Sequence, residues 1–109
     1  MLDTFHVHVG GSSLDDVRHL RPRAIALVRL ADAPAGQRES LREHHRLPPG
    51  AGVAPIRALV GIVRALGAEP PVVLHVPMPS GDDDEAGWAR RLREAALTVL
   101  RDRETVASR

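Results

Sequence analysis

The chain has no cysteine, no lysine and no tyrosine, and only one phenylalanine and one tryptophan. Without cysteine there is no disulfide and no thiolate metal site, a composition that suits a reducing cytosol. With so few aromatic residues, the core must be built from Leu, Val, Ile and Ala. With no lysine, arginine carries all 15 basic charges, and 14 acids interleave with them to leave a net charge of +1. A nucleic-acid footprint needs basic residues set apart from acids, so this pattern argues against nucleic acid as a partner. No apolar run approaches the roughly 20 residues that cross a bilayer, which argues against a membrane span. The first residues include Asp3 and His6 and lack a basic segment, so no secretory leader is expected.

What is present fits one small domain over residues 1–109, with hydrophobic residues at 43%. The stretch Leu2 to Val9 is β-like but polar on both faces, and it ends on Gly10-Gly11. Set beside the later strands, it reads as the last residues of a strand, with Asp3 at the lip. Ser12 and Ser13 are N-cap candidates, and Asp15 and Asp16 suit the positive end of a helix carrying Leu14, Val17 and Leu20. The apolar run Arg23 to Leu30 predicts a strand buried on both faces, interrupted by Arg29 and closed by Asp32, Ala33 and Pro34.

Residues 35 to 54 form the longest irregular region. Gln37 to His45 is compatible with a polar helical turn. Arg46-Leu47-Pro48-Pro49-Gly50-Ala51-Gly52 cannot be helical, and its stiffness suggests a functional loop. Pro55 suits the first position of a helix, whose apolar stripe is Ile56, Leu59, Val60, Val63 and Leu66 and whose C-cap is Gly67. Val72 to Val76 predicts a second buried strand, broken by His75. Pro77 to Asp84 reads as a polar turn whose acids lead into a last helix. That helix buries Trp88, Leu92, Ala95, Ala96, Val99 and Leu100, exposes Arg90, Arg91, Arg93 and Glu94, and frays after Arg103.

This alternation implies a parallel sheet with helices packed on it. Each polar intruder lies towards a strand's C-terminal end, the edge that carries chemistry in parallel α/β folds: Asp3 with His6, Arg29, and His75.

Leu2-Asp3-Thr4-Phe5-His6, a buried strand ending near Asp32, and Arg46-x-x-Pro-Gly-x-Gly before an amphipathic helix together resemble the C-terminal part of the xylose isomerase-like TIM barrels. The resemblance covers about residues 2 to 100 and implies a partial TIM barrel, α/β in class. About three βα units would run from the end of strand six through helix eight.

It also implies a sugar or sugar phosphate isomerase or epimerase, in which a divalent Mn, Mg or Co ion polarises the substrate and proton transfer passes through an enediolate. On this resemblance Asp3 matches a metal ligand, and His6 and Arg46 match substrate-binding residues. Asp32 matches an acid common after strand seven. Arg29 stands where the family places a ligating His or Gln, and a guanidinium cannot ligate a metal. His75 stands where the family places a catalytic Glu, and it could ligate a metal or accept a proton.

Plainer roles sit beside these. Asp3 and His6 could cap and pair near a chain terminus. His75 could be a hydrogen-bonded core residue, and Arg46 a brace for the Pro-Pro loop. Arg29 needs an acidic partner, Asp3 or Asp32, and such a pair would stand in for the metal. His44-His45 has the wrong spacing for a metal pair on a helix, and His8 and His19 have no evident partner.

Three βα units cannot close an eight-stranded barrel, so a completing chain or homo-oligomer is expected. The alternative to an enzyme is a non-catalytic half-barrel that binds a metabolite or a partner. Endonuclease IV-like DNA repair, the other branch of the superfamily, would need additional His and acid ligands with no counterpart here.

Overall fold

A computed structural model describes residues 1–79, 81 and 84–107. Three parallel strands form one sheet: β1 (Leu2–Asp3), β2 (Val28–Leu30) and β3 (Val72–Leu74), in that order. Leu2 and Asp3 stand opposite Val28 and Arg29, and Val28, Arg29 and Leu30 stand opposite Val72, Val73 and Leu74. Four helices connect and flank them: α1 (Thr4–Val9), α2 (Leu14–Arg18), α3 (Ile56–Ala65) and α4 (Glu85–Ala107). The result is three parallel βα units, the number and order expected.

The sheet has two unlike faces. Leu2, Val28 and Leu30 bury against Leu59, Ile62 and Val63 of α3 and Ala96 and Val99 of α4. Side chains alternate along a strand, so Asp3, Arg29 and Val73 project from the other face. A second cluster joins Phe5, Ala31, Ala33, Leu41, Val76 and Leu92 around the C-terminal strand ends.

Local sequence explains most boundaries. Ser13 and Asp16 cap α2 reciprocally, each side chain accepting from the other's backbone N–H. This helix stops at Arg18, shorter than predicted, and Leu20 lies exposed beyond it. Gly67 has φ +85°, and the bonds Gly67 N–H to Arg64 O and Ala68 N–H to Val63 O close α3 in a Schellman motif. Pro55 sits at the N-cap of α3, one position before the expected one. Asp84 accepts from the Gly87 N–H and caps α4. The predicted buried face of α4 is confirmed through Leu92, Ala96 and Val99, and its backbone stays helical past Arg103 to Ala107. Within the predicted polar turn before α4, Ser80, Asp82 and Asp83 lie outside the described residues.

The strands differ most from expectation. Leu2–Asp3 is the end of a strand with Asp3 at its lip, as expected, but Thr4 to Val9 is helix α1 and not extended. The run from Arg23 contributes a strand only at Val28–Leu30, because Pro22–Ala24 winds into a 3₁₀ turn. An apolar run becomes strand only where a neighbour offers ladder partners, and β1 offers two residues. The third strand ends at Leu74, with Val72 and Val73 exposed at 40% and 41%. These residues are not buried because β3 pairs only with β2. Gln37 to His45 forms two separate 3₁₀ turns, Arg38–Ser40 and Glu43–His45.

Leu59 is fully buried at the centre of the outer core. Leu59→Ala is expected to lower unfolding stability by about 2–5 kcal/mol, measured by urea denaturation.

Candidate functional site

Two carboxylates organise the C-terminal end of the sheet. The first is Asp32, which is buried. It accepts from the backbone N–H groups of Ala33, Gly50 and Ala54, each at 2.9 Å. Its own backbone exchanges bonds with Leu47 at 2.8 and 2.9 Å. The Pro-Pro loop is thereby wound around Asp32. Gly52 is required at its crossing, because a Cβ there would lie 2.1 Å from the Ala33 carbonyl oxygen. Asp32 accordingly holds the loop and is not the partner of Arg29.

The second carboxylate is Asp3, at the end of β1. It caps α1 by accepting from the His6 N–H at 3.1 Å. The winding of the loop around Asp32 brings Arg46 over Asp3, 43 residues away in sequence. The Arg46 guanidinium donates to both Asp3 oxygens, at 3.3 and 2.8 Å. The pair is enclosed, with side-chain exposures of 0% for Arg46 and 4% for Asp3. The Arg46 guanidinium also stacks over the Phe5 ring, 4.8 Å from its centroid.

Arg46 Nε donates to Glu43 at 2.6 Å, and the other Glu43 oxygen lies 2.6 Å from His6 Nε2. A carboxylate only accepts, so Nε2 carries the proton in this bond. Bonds from Arg46 and then His6 hold the Glu43 carboxyl down at about 2. Burial opposes the charge on Arg46, but its bonds to Glu43 and Asp3 prevail and raise its pKa above the ordinary arginine value. Asp3, Arg46, Glu43 and His6 thus form one hydrogen-bonded chain that returns to Asp3 through the His6 backbone. Glu43 was not singled out in the sequence. The only local signal is its spacing of three before Arg46.

Arg29 approaches the same carboxylate from β2, its Nη1 3.8 Å from Asp3 Oδ2. It is one third exposed and makes no hydrogen bond from its guanidinium among the described residues. His75 is exposed, one residue past β3. Leu74 packs into the core and Val76 is buried beside Leu92 of α4, and His75 lies between them with its own side chain exposed. The structure therefore joins Asp3, Arg46 and His6 tightly and sets Arg29 beside them. His75 stands apart from that network. His19 bonds the Asp15 carbonyl on the surface of α2, away from this edge.

These residues do not suit a divalent cation. Such an ion needs several oxygen or imidazole donors, and Asp3 already faces two guanidinium groups. Among the described residues no three His, Cys, Asp or Glu side chains are gathered as a ligand set.

Breaking the buried pair should be costly, because it leaves a carboxylate enclosed without its counter-charge. Arg46→Met is expected to destabilise by about 3–5 kcal/mol, with Arg46→Lys intermediate because an ammonium lacks the bidentate fork. Urea unfolding of the two variants checks both the size and the order. Glu43 has a depressed pKa, so its contribution is present above pH 4.5 and is lost as pH falls towards about 2. Because Glu43 is exposed, that contribution is small. The stability difference between wild type and Glu43→Gln should shrink over this window, as followed by thermal melts at stepped pH.

A family profile described as xylose isomerase-like TIM barrel matches residues 1–101. No curated protein matches the chain. Among solved structures, the chain is similar to the IolI protein described with a binding zinc atom. That likeness has a TM-score of 0.82 at 21% identity, over 91% of this chain and 36% of the other, and shows the fold alone. A xylose isomerase domain protein from Alicyclobacillus acidocaldarius subsp. acidocaldarius gives a TM-score of 0.74 at 27% identity, over 92% and 36%. A xylose isomerase-like TIM barrel/4-hydroxyphenylpyruvate dioxygenase fusion protein gives 0.63 at 25% identity, over 75% and 14%. The chain spans about a third of the length of the first two. With the profile running from residue 1 to residue 101, the chain belongs to the xylose isomerase-like TIM barrel family.

Proposed function

We propose that this chain supplies one wall of a sugar isomerase or epimerase-like barrel, which takes a sugar or sugar phosphate at the C-terminal ends of its strands. The observation that carries this reading is the hydrogen-bonded chain Asp3–Arg46–Glu43–His6 at that edge. It holds the exposed His6 imidazole in a fixed position at the strand ends, an arrangement suited to orienting hydroxyl and carbonyl oxygens. Here His6 is the substrate-binding residue, the buried Arg46 with Asp3 holds Glu43 and the loop behind it, and His75, just past β3, is the candidate proton acceptor. The reaction class is proton transfer next to a carbonyl, through an enediolate. A metal such as the zinc of the similar IolI structure has no donor set among the described residues, so no step is assigned to one. A completing chain or a second copy would supply the remaining wall.

A second reading, a non-catalytic binding half-barrel, is favoured by one observation. Both Asp3 oxygens already accept from the buried Arg46, which commits Asp3 to holding the loop.

One experiment separates the two readings. The purified chain is incubated in D₂O with a ketohexose and with its phosphate monoester, while binding is followed by ¹H–¹⁵N NMR. The isomerase reading expects shifts at His6 and His75 and deuterium appearing at the carbon beside the carbonyl. Shifts without deuterium would favour the binding module. No shifts with either sugar would reject both.

A further inference from the structure

We infer that Arg29 centres a metal-independent site for an anionic oxygen group, the carboxylate or phosphate of a sugar-derived ligand, on the inner face of the sheet. The inference deepens the proposed function by naming the substrate class, and it rests on that reading.

The accounting of charge at the strand ends leads to it. Each carboxylate near Arg29 is already engaged. Asp32 accepts from three backbone N–H groups and lies within the loop. Glu43 is shared between Arg46 and His6. Asp3 receives both prongs of the buried Arg46 fork and the His6 N–H. Arg29 reaches Asp3 only at 3.8 Å, outside hydrogen-bond distance, and donates to no group among the described residues. Two arginines thus face one carboxylate, and the second keeps its donors and its positive charge.

Its position makes those donors reachable. Arg29 lies in the middle strand, in register with Asp3 on one side and Val73 on the other. Its side chain is 34% exposed. Val73 offers an apolar surface beside it, and His75 a polar group one strand period further on. A planar guanidinium matches a carboxylate or phosphate through paired N–H donors. A divalent cation in the same place would lie among two fixed guanidinium charges, whereas an anion would meet its complement. The substituent that excludes a metal is therefore the one that selects the ligand.

The test is calorimetric titration of the whole chain in buffer containing EDTA, with inorganic phosphate, a ketohexose phosphate and the same ketohexose unphosphorylated as probes. Phosphate and the sugar phosphate should bind without added metal, the latter more tightly than the neutral sugar by about tenfold or more, as expected for charge-assisted bonds. Arg29→Gln, with folding verified by circular dichroism, should lose that advantage while retaining affinity for the neutral sugar. Equal affinity for phosphorylated and neutral sugar would overturn the anion site and leave the proposed function standing. So would Arg29→Gln binding phosphate as wild type does, or a requirement for Mn²⁺. Absence of binding by all three probes would overturn both.

Discussion

The bidentate contact between Asp3 and Arg46 is the constraint on which the site end of this chain depends. It joins the first strand to a loop 43 residues later, out of contact with solvent. Two charges removed from water must satisfy one another closely, or the enclosure is unfavourable. That requirement fixes the loop's distance from the sheet. It also places Glu43, which can reach His6 only because Arg46 is anchored. The paired winding of residues 47–54 around Asp32 supplies the second tether. With two tethers, a loop rich in proline and glycine becomes a defined wall of the site.

This arrangement changes what the strand ends can hold. Members of this family share a barrel, but the donors on each strand decide the chemistry. Here the middle strand contributes a permanent cation, and the first strand's carboxylate is engaged from two sides. The local field is therefore set by guanidinium groups. The favoured occupant is one that brings oxygen lone pairs and negative charge.

Much of this was legible in the residues. Arg29 stood out because a charged group in an apolar run needs a partner, and Asp3, one of its two expected partners, does lie beside it. Asp3 and Arg46 stood out through the family resemblance, and their pairing with each other was not foreseen. Asp3 as the lip of a strand followed from comparison with the later strands, and an Asp3–Arg29 pair where the resemblance places a metal followed from the need of a strand cation for a counter-charge. Strand length was not legible. An apolar run such as Arg23 to Leu30 records burial, whereas a strand also needs a hydrogen-bonding neighbour, and that depends on the sheet. Glu43 was hidden for a related reason. Its importance comes from His6, 37 residues away, and no periodicity in a polar loop announces a contact of that range. Asp32 was visible as an acid closing a strand, but its role as the spool of the loop depends on Gly50 and Gly52 folding back onto it.

Thr4 carries a further consequence. Its hydroxyl, fully buried, donates to the Ala31 carbonyl at 2.7 Å and accepts from the Ala31 N–H at 2.9 Å. It continues the ladder with β2 after the backbone of β1 has turned into helix. Sliding β1 by one residue would turn Asp3 towards the apolar helices and Leu2 towards the inner face. A single hydroxyl therefore acts as a gauge of alignment between two very short strands. The ligand preference of the inner face is set as much by that alignment as by the charged groups themselves.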